Sequence, residues 1–323
     1  MEKKTIKWGI IGLGKIANKF AADLTVVENA ELYAVASRSQ DKSDAFALKH
    51  NADKAYNSYE DLAKDSQVDA IYIATPHPFH AAHAIMCLNH KKPVLCEKPL
   101  AMNLQEVKEM IAVAKENNVL LMEALWTRFL PSFQYVLELV QSKKLGNITH
   151  LEADFGFKPV YNADSRLMNK ALGAGSLLDI GIYPIFLALS TLGIPNSIEA
   201  NATFIDTGAD EECNMVFNYN DVKANLKSTI KEKTPTEATI IFDNGTVKLN
   251  TRFFEQTSVT ITENDTVNTI EFPTKAGGFD FEIEHFNQLL RDAKTESNMM
   301  TFEFSKTLIS TLDKVRTIIG LVY

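Results

Sequence analysis

The six residues Gly12-Leu13-Gly14-Lys15-Ile16-Ala17 follow a short apolar run, Thr5 to Ile11. They precede a helical pattern carrying Phe20 and Leu24. This is the G-x-G-x-x-G/A spacing between a strand and a helix, and no other stretch restricts the fold as much. Gly12 permits a tight turn, Gly14 lets a pyrophosphate approach the backbone, and Ala17 lets helix and strand pack closely. Unpaired N–H groups at the start of the helix are donors for phosphate oxygens. A lone match also describes a glycine-rich turn with no ligand. The strand–turn–helix context favours a dinucleotide site built from Gly12, Leu13, Gly14, Lys15, Ile16 and Ala17.

The second strand, Glu31 to Ala36, ends in Ser37-Arg38-Ser39. An NAD-specific site places an acid there, on the ribose 2′-hydroxyl. A guanidinium at Arg38 instead forks onto a 2′-phosphate, with Ser37 as a second donor and Lys42 as the next positive charge. NADP(H) is therefore expected in preference to NAD(H). Strands and helices go on alternating. Lys42–His50 and Tyr59–Ala63 read as helical, Asp69–Ala74 as a strand, Ala81–Asn89 as a helix and Pro93–Cys96 as a strand. Asn103–Asn117 is an amphipathic helix and Val119–Met122 a strand. Such alternation predicts a parallel, doubly wound sheet.

The chemically unusual residues of this half all fall at strand carboxyl ends, where open α/β sheets bind ligands. Beyond the glycine turn and Arg38 they are Thr75, Pro76, His77, His80, Glu97, Lys98, Trp126 and Arg128. Singly, each has a structural reading as a cap, a core ring or a surface ion pair. Together on one edge they are expected to contact the cofactor. Lys98 stands out, because burial beside a strand end disfavours an ammonium unless it has a task.

From Ile148 onward the texture changes to β runs with period-two alternation. These are Ile148–Phe157, Ile198–Ile205, Asn214–Tyr219, Lys223–Ile230, Ala238–Phe242, Thr246–Asn250, Ser258–Thr262 and Asn268–Phe272. Asp243-Asn244-Gly245 is a hairpin turn signal. Helices are expected over Pro131–Lys143, Asp280–Lys294 and Ser305–Ile319. The fold class is α/β. Residues 1–124 form a Rossmann domain, and residues 125–323 form an α/β domain with a large, mostly antiparallel open sheet.

Within the second half lies Gly175-Ser176-Leu177-Leu178-Asp179-Ile180-Gly181-Ile182-Tyr183-Pro184. On a helix Asp179 and Tyr183 share a face. A phenol suits alcohol–carbonyl proton exchange, but its ordinary pKa of about 10 is high for that work. Lys98 is an available ammonium to lower it. Pro184 cannot donate to Ile180, so the helix either kinks or begins near Tyr183. The stretch Gly175 to Pro195 is apolar over a bilayer's thickness, but Asp179 and Pro184 make it a buried helix rather than a span.

The net charge is −8 and no basic run exceeds the pairs Lys3-Lys4, Lys91-Lys92 and Lys143-Lys144, which argues against nucleic acid or a membrane as partner. Cys87, Cys96 and Cys213 are widely spaced, as expected of free thiols in the cytoplasm. Neither a signal peptide nor a metal site is expected.

The glycine turn, Ala74-Thr75-Pro76 with His80, Glu97-Lys98-Pro99 and the Asp179 block together resemble the family of glucose–fructose oxidoreductase and inositol dehydrogenase, across the whole chain. Asp179-x-x-x-Tyr183 and Glu123-Ala124-x-Trp126-x-Arg128-Phe129-x-Pro131 look like its dihydrodiol dehydrogenase branch. The resemblance implies hydride transfer between a nicotinamide and a sugar, cyclitol or diol. It also implies NADP(H) preference, a catalytic lysine, aspartate and tyrosine (Lys98, Asp179 and Tyr183), a cis Lys98–Pro99 bond, and a homodimer formed through the second sheet. Glu97 is expected to be a ribose or positioning contact. Whether Tyr183 or Lys98 carries the proton directly is open. The rival reading is an NADP(H)-binding sensor without turnover.

Overall fold

A computed structural model of the chain describes residues 4–323; Lys3 of the first basic pair lies outside them. The chain divides into two compact units, one of Met1–Phe129 with Thr274–Lys306, the other of Leu130–Pro273 with Thr307–Tyr323. The sequence places its boundary at 124/125 and assigns everything beyond it to the second domain. The segment Thr274–Lys306 instead packs with the first unit.

In the first unit the chain runs β1 (Ile6–Ile11), α1 (Lys15–Leu24), β2 (Ala30–Ala36), α2 (Gln40–His50), β3 (Lys54–Tyr56), α3 (Tyr59–Lys64) and β4 (Ala70–Ile73). It continues through α4 (His80–Asn89), β5 (Val94–Glu97), α5 (Leu104–Asn117) and β6 (Leu121–Ala124). Among the described residues the sheet order is β3-β2-β1-β4-β5-β6, with every pairing parallel. That is the dinucleotide-binding order, and it brings the carboxyl ends of all these strands to one edge. β4, β5 and β6 are buried at every position, as strands covered on both faces must be. The short exposed strand β3 is not anticipated by the sequence reading.

The second unit begins with α6 (Pro131–Ser142) and β7 (Ile148–Gly156). A five-residue π turn, Leu177–Gly181, leads directly into α7 (Ile182–Leu192). The strands β8 (Ser197–Phe204), β9 (Asp210–Tyr219), β10 (Val222–Thr229), β11 (Ala238–Phe242), β12 (Gly245–Leu249), β13 (Val259–Glu263) and β14 (Thr266–Ile270) follow. Two helices close the chain, α8 (Phe279–Arg291) and α9 (Phe302–Ile319). The eight described strands are ordered β14-β13-β12-β11-β7-β10-β9-β8. Every pairing is antiparallel except β7 with β10. The apolar segment Lys170–Leu192, which includes α7, contains an 18-residue window with a mean hydropathy of 1.7 that is 94% buried, so it is a core segment packed beneath the sheet.

Pro184 explains the π turn. An α-helix through this segment needs a donor from residue 184 to the Ile180 carbonyl, and proline has none. The backbone widens over Leu177–Gly181 before regular helix begins at Ile182. Of the two outcomes expected from Pro184, a kink or a helix start near Tyr183, the second is found, with Asp179 in the wide turn before it.

Helix α8 completes the first unit. Trp8 Nε1 donates to Asn287 Oδ1 at 3.1 Å and its ring lies 5.1 Å from that of Phe286. Asp23 accepts the Phe279 N–H at 2.9 Å, and Arg291 donates to the Asn29 carbonyl at 3.1 Å. The α8 face packed on the first sheet is thus aromatic, with buried polar groups set into it.

Candidate active site

Gly12 sits at φ +90°, in the left-handed region, and a Cβ there would lie 2.7 Å from the Thr75 nitrogen and 2.8 Å from the Ala74 carbonyl oxygen. The turn after β1 and the strand end of β4 therefore touch through bare backbone, which only glycine allows. A Cβ on Gly14 would meet nothing within 4 Å. Gly14 also precedes α1 without a side-chain cap, and no acid occupies the first turn. This open, uncapped helix start fits a pyrophosphate. Ala17 is fully buried, while Lys15 is exposed and Leu13 and Ile16 are half-buried along the turn.

At the end of β2 the Ser37 hydroxyl is turned inward, donating to the Ser39 carbonyl at 2.7 Å and accepting the Ser39 N–H at 3.0 Å. Arg38 is exposed and hydrogen-bonds Tyr59, and Lys42 is exposed on α2. His83, one turn into α4, joins this corner. Its Nδ1 lies 3.1 Å from Thr75 Oγ1, its ring sits edge-on to Tyr59 at 4.8 Å, and burial, then Arg38, push its pKa down. The sequence reading passed over His83 because it falls inside an apolar helical pattern.

Thr75 and His77 are buried and Pro76 is half-buried. His80 has no exposed surface, and its two ring nitrogens face the carbonyl oxygens of Pro99 (2.8 Å) and Thr75 (2.7 Å). It clasps the loop after β4 to the loop after β5, which leaves neither nitrogen for a cofactor. The Lys98–Pro99 bond is cis, and the half-buried Lys98 follows β5 on the ligand edge. Glu97 is buried, accepts from the Tyr72 hydroxyl, and its Oε2 accepts the Lys98 N–H at 3.2 Å. Trp126 stacks on Phe279 with ring centres 4.5 Å apart, and Arg128 Nε donates to the Met299 carbonyl at 2.9 Å. Thr75, Glu97 and Lys98 thus lie at the carboxyl ends of β4 and β5, with His80 as a clasp between the two loops rather than a cofactor contact.

In the second unit Asp179 is buried in the π turn and Tyr183 is buried at the start of α7. The Tyr183 ring packs against the stacked pair of Phe155 on β7 and Phe254, with centres 5.7 and 5.0 Å away. Asp210 fastens the turn from β9: its Oδ2 accepts the Ser176 hydroxyl and the Leu177 N–H, both at 2.7 Å. Gly175, at φ +119°, makes room for it, since a Cβ there would fall 2.0 Å from Asp210 Oδ1. Asp179 is held by a residue the sequence reading missed. Arg166 donates Nη1 to Asp179 Oδ1 at 2.8 Å and Nη2 to Oδ2 at 3.2 Å. No group of three or more His, Cys, Asp or Glu among the described residues is placed to hold a metal ion.

Comparison with known proteins agrees with this arrangement. Residues 6–125 match a family model described as an oxidoreductase family with an NAD-binding Rossmann fold, and residues 133–248 match the GFO/IDH/MocA C-terminal domain. The chain is 36% identical to trans-1,2-dihydrobenzene-1,2-diol dehydrogenase of Xenopus tropicalis, over 98% of this chain and 99% of that protein. It is 33% identical to an NADP(+)-dependent scyllo-inositol 2-dehydrogenase of Bacillus subtilis, over 98% of each chain. Among solved structures, a 3-ketoreductase from Actinomadura kijaniata in complex with NADP and TDP-benzene superposes with a TM-score of 0.86 at 27% identity, over 97% of this chain and 98% of that one.

Proposed function

Because the chain belongs to the GFO/IDH/MocA oxidoreductase family, we propose that it moves hydride between NADP(H) and the carbinol or carbonyl carbon of a sugar, cyclitol or vicinal diol. The observation that carries this reading is the first sheet's carboxyl edge. There the open Gly14 turn and the half-buried Lys98 ammonium occupy the same side of one parallel sheet. The nicotinamide, when bound, gives or takes the hydride. The protein handles the proton. We assign proton exchange with the substrate hydroxyl to Tyr183, and stabilisation of the phenolate and the reacting oxygen to Lys98. Asp179 positions the substrate hydroxyls. The reverse split, with Lys98 as the direct carrier, obeys the same balance: one C–H and one O–H bond are broken, hydride leaves the carbon and the proton leaves the oxygen.

The test is loss of NADPH absorbance against sugars, inosose and diketone substrates, with NADP+ reduction by the matching polyols and diols. Turnover of at least one class is expected. Tight cofactor binding with no turnover of any would favour the sensor reading, against which stand the retained Lys98 and Tyr183.

Cofactor choice is assigned to Arg38. Arg38→Ala should weaken NADP(H) roughly 10- to 100-fold, the loss of one charge-assisted fork on a phosphate. NAD(H) should be nearly unaffected. Equal losses measured for the two cofactors by fluorescence titration would sink this assignment.

Self-association is assigned to the outer face of the second unit's sheet, where Glu152, Asp154, Asn214, Asn225 and Lys227 border a depression of 660 Å³. Sedimentation equilibrium at micromolar concentration should return a dimer, and a monomer at that concentration would remove the assignment. Buried, unpaired Cys87, Cys96 and Cys213 support a reducing compartment, the cytoplasm.

A further inference from the structure

We propose that Arg166 is a positioning residue for the reaction: its guanidinium fork keeps the Asp179 carboxylate ionised and fixed beside Tyr183. The inference rests on the reading that Asp179 and Tyr183 take part in the chemistry. It adds a residue that lies thirteen positions earlier in the chain, in a loop that carries no motif.

The Asp179 side chain is only 10% exposed. Burial of a carboxylate disfavours its charge and raises its pKa unless an opposite charge or donors offset the loss of water. Arg166 supplies both at once, through two roughly parallel N–H donors at 2.8 and 3.2 Å. Such a fork constrains the plane of the carboxylate as well as its charge, which a lysine ammonium does not. Arg166 is itself 45% exposed, so the pair is solvated on the arginine side and enclosed on the aspartate side.

Both ends of the fork are held independently of it. Arg166 lies in a compact turn in which Asn162 accepts the Asp164 N–H at 3.0 Å through its side chain and the Ser165 N–H at 2.9 Å through its carbonyl. The Met168 and Asn169 N–H groups return to the Ser165 carbonyl at 3.0 and 2.8 Å. Buried Met168 plugs the turn, the Thr207 hydroxyl donates to its carbonyl at 2.6 Å, and the Gly175 N–H donates to the Leu167 carbonyl at 3.3 Å. At the other end Asp210 fixes the π turn through Ser176 and Leu177. Loss of the guanidinium leaves these fastenings in place, so the arginine is not needed to hold its own loop.

The groups around the π turn set the sign of the effect. β9 presents Asp210 and Cys213, and β10 presents Ser228. Tyr323, whose hydroxyl donates to the Ala174 carbonyl at 2.6 Å, is pushed up by burial and by the charges of Asp210 and Asp179. Tyr183 follows on α7. Asp210 disfavours the charge of Asp179, as does burial, while Arg316, over the Tyr323 ring at 4.9 Å, is a basic group on the same flank. The Arg166 guanidinium is the cation hydrogen-bonded to the carboxylate itself, and it opposes both the burial and the charge of Asp210. Without it the Asp179 carboxyl takes up a proton at higher pH and loses the fork that sets its plane, and its use as an acceptor for a substrate hydroxyl is lost from the acid side.

The experiment measures kcat/KM against pH for the vicinal diol that the enzyme oxidises fastest with NADP+, in Arg166→Met, Arg166→Lys and Asp179→Asn. Arg166→Met should move the acid limb upward by about 1–3 pH units, the size of an opposite-charge contact. It should lower kcat/KM at neutral pH roughly 10- to 100-fold through misplacement. The Kd for NADP+ and the thermal midpoint should stay at the parent values. Arg166→Lys should restore the acid limb, which follows the charge, but only part of the rate, which follows the fork. A parent-like rate and limb in Arg166→Met overturn the proposal, as does a rate loss with the limb unmoved in both arginine variants. If Asp179→Asn keeps full activity, the reading of the site itself fails. A defective Asp179→Asn beside an unimpaired Arg166→Met removes the role of Arg166 alone.

Discussion

Tyr183→Phe lowers kcat by roughly 10²- to 10⁴-fold, the usual share of a positioned acid–base group. The substitution removes one oxygen and keeps the ring, which remains packed against the stacked Phe155 and Phe254. Folding and cofactor affinity should therefore change little. Lys98→Met keeps the aliphatic stem at the end of β5 and removes the ammonium, with a loss of similar size. If both residues serve one reacting oxygen, the double variant is little worse than either single one, since groups acting as a unit are not additive. Steady-state kcat and NADPH fluorescence titration separate the two effects. Near-full turnover in both single variants would overturn the assignment.

Two buried carboxyl groups each lower the unfolding free energy as the pH rises from about 5 to 8, against buried histidines such as His80, which act in the opposite sense up to about pH 6.5. Glu282 on α8 is fully buried, and neither carboxyl oxygen has a hydrogen-bond partner among the described residues. Burial, with Glu97 and Asp23 adding to it, holds its pKa well above the carboxylate range. Glu123 at the end of β6 accepts the Leu100 N–H at 2.9 Å, yet burial still pushes it up to about 7. In this window the native state holds protons that the unfolded chain has released, so stability present at low pH is lost as pH climbs through the raised values. Each such group contributes a slope of at most about 1.4 kcal/mol per pH unit, which for Glu123 amounts to roughly 3 kcal/mol in all. Glu123→Gln and Glu282→Gln should each flatten the slope and raise stability at pH 8. Urea unfolding across the pH series reads this directly, and an unchanged slope in both variants would contradict it.

The parts of the fold that could be read from the chain are those with local, repeating causes. The Gly12–Ala17 turn declares itself because its backbone demands sit within six residues. The edge of the first sheet was legible because strand ends are marked by abrupt changes from apolar to functional residues, as at Cys96-Glu97-Lys98. β3 was not, since three half-exposed residues, Lys54–Tyr56, carry no period. The start of β9 was missed because Asp210-Glu211-Glu212 reads as a polar loop. It is a strand because β8 and β10 pair with it on either side. Arg166 was invisible for a related reason: nothing local ties a loop arginine to an aspartate thirteen residues on. Asp179 and Tyr183 could be singled out in the chain, but the wide turn that sets their spacing depends on Pro184, whose effect was foreseen only as a choice between a kink and a helix start. His80 was expected to be a cofactor contact, and its two carbonyl partners give it the work of a clasp instead.

The late return of α8 to the first unit has a consequence for how the chain matures. During vectorial synthesis β1 to β6 leave the ribosome well before residues 279–291 exist. Until α8 arrives, Trp8 lacks Phe286 and Asn287, Asp23 lacks the Phe279 N–H, and Trp126 lacks the Phe279 ring. The nucleotide-binding unit is therefore completed after translation rather than during it, with an aromatic surface waiting uncovered. Nascent chains of this type need shielding from aggregation over most of their synthesis. A fragment ending at residue 129 inherits the same exposed surface permanently, and a self-standing cofactor domain has to carry α8 with it.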